Sequence, residues 1–119
     1  MPYNSFKELK VWQEAKAVAV EIYRVSTKGL LARDFGLRDQ MQRASVSIAA
    51  NIAEGYDRTT PKEFSRFLDI ARGSAAELRT QLDIALAVGY IDKNTFDKLD
   101  DQCMKIGAMI TKLKRTLTS

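Results

Sequence analysis

The side chains of this chain that could do chemistry are one cysteine, two carboxylates set among polar helical residues, and a group of lysines and arginines near the ends of the periodic segments. There is no histidine. That excludes a Ser-His-Asp or Cys-His arrangement, a histidine metal cluster and the paired arginine and histidine of small helical ribonucleases. Cys103 falls on an apolar helical stripe, where a thiol packs as a small hydrophobe rather than reacting. The six glycines stand singly, with none of the spacing of a Walker or Rossmann phosphate loop. Glu54 and Glu77 are the carboxylates to consider as a pair. Without a water-activating metal or a general-acid partner, neither is read as catalytic. The expectation is a protein that is not an enzyme and uses no metal or cofactor.

Polar residues interrupt two of the apolar segments at helical spacing. Gln40, Ser47, Asn51 and Glu54 stack on one helical face, and Asn51 falls on the apolar stripe itself. Ser74, Glu77 and Gln81, with Gly73 and Thr80 beside them, form an answering row. Two meanings are open, a pocket or a buried hydrogen-bonded ladder that fixes helix register or a subunit contact. The ladder is the reading adopted.

Charge is the third source of chemistry. The chain carries 19 basic and 15 acidic side chains, a net +4, so distribution matters more than sum. If four helices alternate in direction, one end collects Lys7, Lys10, Arg58, Lys62, Arg66, Lys112, Lys114 and Arg115 against Glu8, Glu54, Asp57 and Glu63. The whole excess then sits at that end, and cyclic association would gather it into a basic ring suited to a polyanion. Arg58, Lys62, Lys112, Lys114 and Arg115 are the leading contacts. The plainer meaning is that lysines near a helix C-terminus complement its dipole. Partners expected on this reading are RNA or DNA. A protein partner that docks on helical faces is the alternative.

Those side chains need four helices to position them. Ser5 and Glu8 read as a capping box for a helix over about 6–28, with the stripe Val11, Ala15, Val18, Ile22 and Val25. Gly29 ends it, and a loop over Leu30 to Gly36 leads to a helix over about 37–54 with Leu37, Met41, Ala44, Ile48 and Asn51, closed by Gly55. Thr60-Pro61-Lys62-Glu63 opens a third helix, about 61–88, with Phe64, Leu68, Ala71, Ala75, Leu78, Leu82 and Ala85. Asp92 caps a fourth, about 93–117, with Phe96, Leu99, Cys103, Ile106, Ile110, Leu113 and Leu117. Short connections favour antiparallel neighbours, so the expected fold is all-α, one up-down-up-down antiparallel four-helix bundle over 1–119. Trp12, Ala19 and Tyr23 on the first helix, and Ile70, Ile84 and Val88 on the third, lie beside these stripes. They signal either self-association or a wide bundle interior.

Composition agrees with a folded domain: 45% hydrophobic and 29% charged residues exclude a disordered or fibrous chain. A single cysteine forms no internal disulfide. Met-Pro-Tyr-Asn has neither the basic start nor the apolar core of a signal sequence, and no run of 18 apolar residues occurs. Cytoplasm is the expected compartment, with no membrane association.

Several of these residues also carry a family resemblance. Phe35-Gly36-Leu37, Gln40-Met41-Gln42-Arg43-Ala44, Ser47-Ile48 and Asn51-Ile52-Ala53-Glu54-Gly55 resemble the signature of the 23S ribosomal RNA intervening-sequence proteins. Phe67-Leu68, Ala71, Gly73-Ser74, Glu77-Leu78, Thr80-Gln81 and Gly89-Tyr90-Ile91 are similar to that family's second block, and Leu9-Val11-Trp12 to its opening. Ala49-Ala50 departs from the proline or serine common in relatives. The resemblance implies a four-helix bundle that assembles as a barrel-shaped homopentamer, in a family often encoded within insertions in 23S ribosomal RNA genes. A related protein is an accessory subunit of a reverse transcriptase, which raises nucleic acid and such an enzyme as partners. The older label of ribosomal protein rests on gene location and does not imply a ribosome component.

Overall fold

The structure is a computed structural model and describes residues 5–118. The reading of Met1 to Asn4 as no signal sequence lies outside those residues. Four long helices account for most of the rest: α1 (Lys10–Ser26), α2 (Phe35–Tyr56), α3 (Pro61–Ala87) and α4 (Lys93–Thr118). Single 3-10 turns at Phe6–Glu8 and Leu31–Arg33 precede α1 and α2, and no strand occurs among the described residues.

Local chemistry explains three of the four starts. Thr60 Oγ1 accepts from the Glu63 amide at 3.1 Å with Pro61 as the first residue of α3, a pre-set φ that costs no hydrogen bond. Asp92 caps α4 by accepting from the Thr95 amide at 2.7 Å, and that bond holds its carboxyl below the usual carboxylate range. The start of α2 differs from expectation. Asp34 Oδ1 accepts from the Leu37 amide at 3.1 Å, so Phe35 and Gly36 are the first turn of the helix rather than the end of a loop. α1 also differs. Ser5 caps only the 3-10 turn, accepting from the Lys7 amide. Leu9 then adopts an extended conformation (ψ 126°) and is buried, so regular helix begins at Lys10. Gly29 and Gly89, at φ 60° and 83°, follow the ends of α1 and α3, where a left-handed residue closes a helix at little steric cost.

Gly55 is the clearest departure. It does not close α2, which runs on to Tyr56. A Cβ at Gly55 would stand 2.7 Å from Phe67 Cβ, 2.9 Å from Phe64 Cδ1 and 3.2 Å from Phe64 O. The glycine is there to let α2 and α3 approach.

One apolar cluster joins all four helices, with Ile22, Met41, Ile48, Ile52, Leu68, Leu78, Leu82, Ile106 and Ile110 fully buried. The molecule measures 45 × 20 × 19 Å, about the length of its longest helices. α2 packs most extensively on α3, α3 on α4, and α1 on α2, with a lesser contact between α1 and α4. Cross-helix pairs run in order. On α3 and α4, Asp69 meets Lys114, Arg72 meets Thr111 and Arg79 meets Asp100, the partner falling as the residue number rises. Asp100 holds the Arg79 guanidinium above its ordinary pKa, chiefly through their hydrogen bond. Ser74 meets Ser47 of α2, and Phe67 meets Gly55. Lys105 of α4 reaches Glu14 of α1 at 3.2 Å. No helix of the described residues is long and apolar enough to cross a membrane.

Candidate nucleic-acid interface

The junction between α2 and α3 and the last turns of α4 hold most of the basic candidates. Arg58, just past the end of α2, donates to Glu54 Oε1 at 2.7 Å, and its guanidinium lies 4.8 Å from the centre of the Phe67 ring. Arg66, one turn into α3, pairs with Glu63 at 3.3 Å and lies 4.7 Å from the same ring. Phe67 is buried while both guanidiniums are largely exposed. The ring is therefore a fixed plate that holds two cations through their attraction to its π face. Ion pairs this exposed are worth roughly 0.2–1 kcal/mol, so a phosphate oxygen can replace either carboxylate.

Lys62, Glu63, Arg66 and Asp69 of α3, with Pro61 and Ser65, line an open hollow of about 610 Å³ whose far wall is Leu117 of α4. Lys114 is the least available of the basic candidates. Its ammonium pairs with Asp69 across the helix interface and its side chain is only 23% exposed. Asp69 also receives Arg72, at 3.4 Å. Both belong to this region and were missed by sequence reasoning. The local signal was present, since Asp69 stands one turn from Arg66 and from Arg72, but its link to Lys114 spans 45 residues and leaves no trace in periodicity. Asp69 and Arg72 carry opposite charges, so including both leaves the local excess unchanged. Lys112 and Arg115 lie on exposed positions of α4.

Lys10 opens α1, and Lys7 sits in the 3-10 turn that packs against α1 and α2. The Lys7 carbonyl accepts from Gln13 at 2.9 Å, which fixes the turn while leaving the ammonium outside. Lys7, Lys10, Lys62 and Lys112 are exposed and form no ion pair with a described residue.

The polar row divides. Asn51 Nδ2 donates to Ser47 O at 2.8 Å and Ser47 Oγ at 3.0 Å, and Ser47 Oγ lies 2.9 Å from Ser74 Oγ. These three form a chain from α2 to α3. Gln40, Glu54 and Glu77 are exposed and take no part in it, because each stands farther round its helix than the serines. Gln81 is 7% exposed, but its Oε1 accepts no hydrogen bond among the described residues. Asn51 is half-buried at the edge of the α2 stripe, and Ile52 fills the core place beside it. Cys103 is buried in the core, and burial pushes its thiol up to about 12. No group of three or more His, Cys, Asp or Glu that could hold a metal ion occurs among the described residues.

A four-helix protein with one shared apolar core is the class these features define. The chain belongs to the 23S rRNA-intervening sequence protein family, whose pattern matches residues 7–112. It is also similar to a protein of unknown function from the S23 ribosomal protein family of Bacteroides thetaiotaomicron, known from its crystal structure. The two share 22% identity and a TM-score of 0.80 over 87% of this chain and 97% of that one, a likeness of fold. None of the curated proteins matches the chain.

Proposed function

We propose that this chain is a non-enzymatic, oligomeric adaptor of the cytoplasm that binds nucleic acid, RNA above all, through its basic end. In this reading the helices alternate up and down in one antiparallel bundle, a direction supported by the descending order of the α3 and α4 partners. Copies assemble as a homopentamer, as the family resemblance implies. The observation that carries the proposal is the set of four lysines, Lys7, Lys10, Lys62 and Lys112, exposed and unpaired among the described residues. The alternating bundle gathers them at one end with Arg58 and Arg66. Unpaired cations release no internal partner when they meet phosphate, so they contribute most to polyanion affinity. A second reading, a scaffold that holds a protein partner such as a reverse transcriptase, is favoured by the open apolar groove between α1 and α2.

Anisotropy of labelled structured RNA and duplex DNA across a salt series tests the proposal, with oligomeric mass measured in the same buffers. For each chain whose four lysines all engage duplex phosphates, log K against log salt should fall with a slope of about −3.6, at about −0.9 per phosphate. Changing Lys7, Lys10, Lys62 and Lys112 to glutamate should abolish binding while leaving the oligomer intact, because none of the four holds an internal ion pair. Absence of affinity at low salt with the oligomer intact would overturn the adaptor reading and leave the scaffold.

A further inference from the structure

One apolar seam on each of α1 and α3 faces the common core, yet both helices carry a second seam. On α1 it is Trp12, Lys16, Ala19 and Tyr23. On α3 it is Ile70, Ser74, Glu77, Gln81 and Ile84, continued by Val88 just past the helix end. Each alternates steps of four and three, the spacing that sets the knobs of one helix into the holes of another. Ser74 and Gln81 of the α3 seam are buried within the bundle, but the larger side chains on either side of them remain open among the described residues. Tyr23, Ile70, Ile84 and Val88 are 44%, 42%, 47% and 55% exposed. The α1 seam opens into a groove of about 600 Å³, completed by Val46, Ala49 and Ala50 of α2 and walled almost wholly by apolar atoms.

The charges on the two seams are opposite. Lys16 lies in the groove with its ammonium 5.7 Å from the centre of the Trp12 ring, and Arg43 lies beside it in a hollow shared with Tyr23, Val46 and Asp39, whose carboxylate is paired with Arg38. On the α3 seam stands Glu77. None of Lys16, Arg43 and Glu77 forms an ion pair with a described residue. The α3 seam also holds the buried Gln81 oxygen that accepts no hydrogen bond among the described residues.

We propose that the groove between α1 and α2 of one copy receives the second seam of α3 from the next copy, with Lys16 facing Glu77 across the contact. The occupant is a second copy because one chain supplies both halves: an apolar groove edged by the unpaired cation Lys16, and a heptad stripe that exposes Ile70, Ile84 and Val88 around the unpaired anion Glu77 and an orphan acceptor. The halves are different surfaces, so the contact is head-to-tail and builds a closed ring or an open chain of copies. This rests on the oligomeric reading above and names the surfaces that make it.

The test uses Lys16→Glu, Glu77→Lys and the double variant, with mass measured by light scattering across a concentration series and helicity checked by circular dichroism. Both residues are exposed, so all three variants should fold. Each single reversal sets like charges against each other and should raise the half-dissociation concentration roughly tenfold or more. The double variant restores opposite charges at every contact and should recover most of the loss. A wild-type oligomer that neither single reversal weakens would overturn this contact alone, and so would a double variant as impaired as the sum of the two. A wild type that stays monomeric at every concentration would overturn the oligomeric reading as well.

Discussion

Replacing Gly55 with alanine adds one methyl group where α2 crosses α3, and the structure sets its cost. Alanine should stabilise a helix interior by about 1 kcal/mol relative to glycine. Against that, the new Cβ would lie 2.7 Å from Phe67 Cβ and 2.9 Å from Phe64 Cδ1. The Phe64 ring can turn, but Phe67 Cβ is fixed to the backbone, so relief requires α3 to move. Overpacking of this kind costs about 1–3 kcal/mol, and two contacts this short place the cost at the upper end. The expected net loss is about 1–2 kcal/mol. With 119 residues and about 2.1 cal/mol/K of unfolding entropy per residue, that lowers Tm by about 4–8 °C. Gly107→Ala is the matched control, because nothing lies within 4 Å of a Cβ there. It should raise Tm by about 2–4 °C. Thermal and urea unfolding followed by circular dichroism at one protein concentration reads both, since assembly shifts apparent stability. If Gly55→Ala stabilises as much as Gly107→Ala, the absent Cβ does not set the distance between α2 and α3.

Two further outcomes follow from the titratable groups. The Tyr90 hydroxyl donates to Asp34 Oδ2 at 3.0 Å, and this bond, then burial, raises the phenol above its ordinary value. The fold thus favours the neutral phenol. Its contribution is complete below about pH 10 and is lost as pH rises through the raised native value, so Tyr90→Phe should show a shallower alkaline fall in urea midpoint than wild type, and equal slopes would refute the link. Cys103, with its thiol raised to about 12 by burial, should resist a thiol reagent at about pH 8 until the chain unfolds. Rapid labelling in native buffer would place it outside the core.

Much of the fold was legible because its signals are local. Thr60, Pro61 and Glu63 carry a helix start within four residues, and the four-three recurrence from Phe64 to Ala85 marks the buried face that the structure shows. Misreadings arose where a residue's meaning lies elsewhere in the chain. Gly55 looks like a stop because it follows a helical stripe, and only Phe64 and Phe67 on the next helix reveal it as a place of close approach. Gly36 reads as the end of a loop, although the Asp34 carboxylate, accepting from the Leu37 amide, makes it part of the first turn of α2. The polar row was legible as a row, but joining Ser47, Asn51 and Ser74 while leaving Gln40, Glu54 and Glu77 in solvent depends on how each helix is rotated. Lysine availability was equally hidden. Lys112 and Lys114 read alike in sequence, and only the fold pairs Lys114 with Asp69.

The absent Cβ and the charged end belong to one physical arrangement. Gly55 stands one helical turn before Arg58, and Phe67 stands one residue after Arg66. The close approach of α2 and α3 at Gly55 is therefore what brings guanidiniums from two segments to one ring, at 4.8 and 4.7 Å. A wider crossing would carry Arg58 away from Phe67 and leave its side chain to the exposed pair with Glu54, which holds it weakly. Packing and charge display are thus set by the same contact. Arg58 and Arg66 are held at a core phenylalanine as well as by their own exposed ion pairs, so loss of Glu54 or Glu63 as a partner leaves their contact with the ring in place.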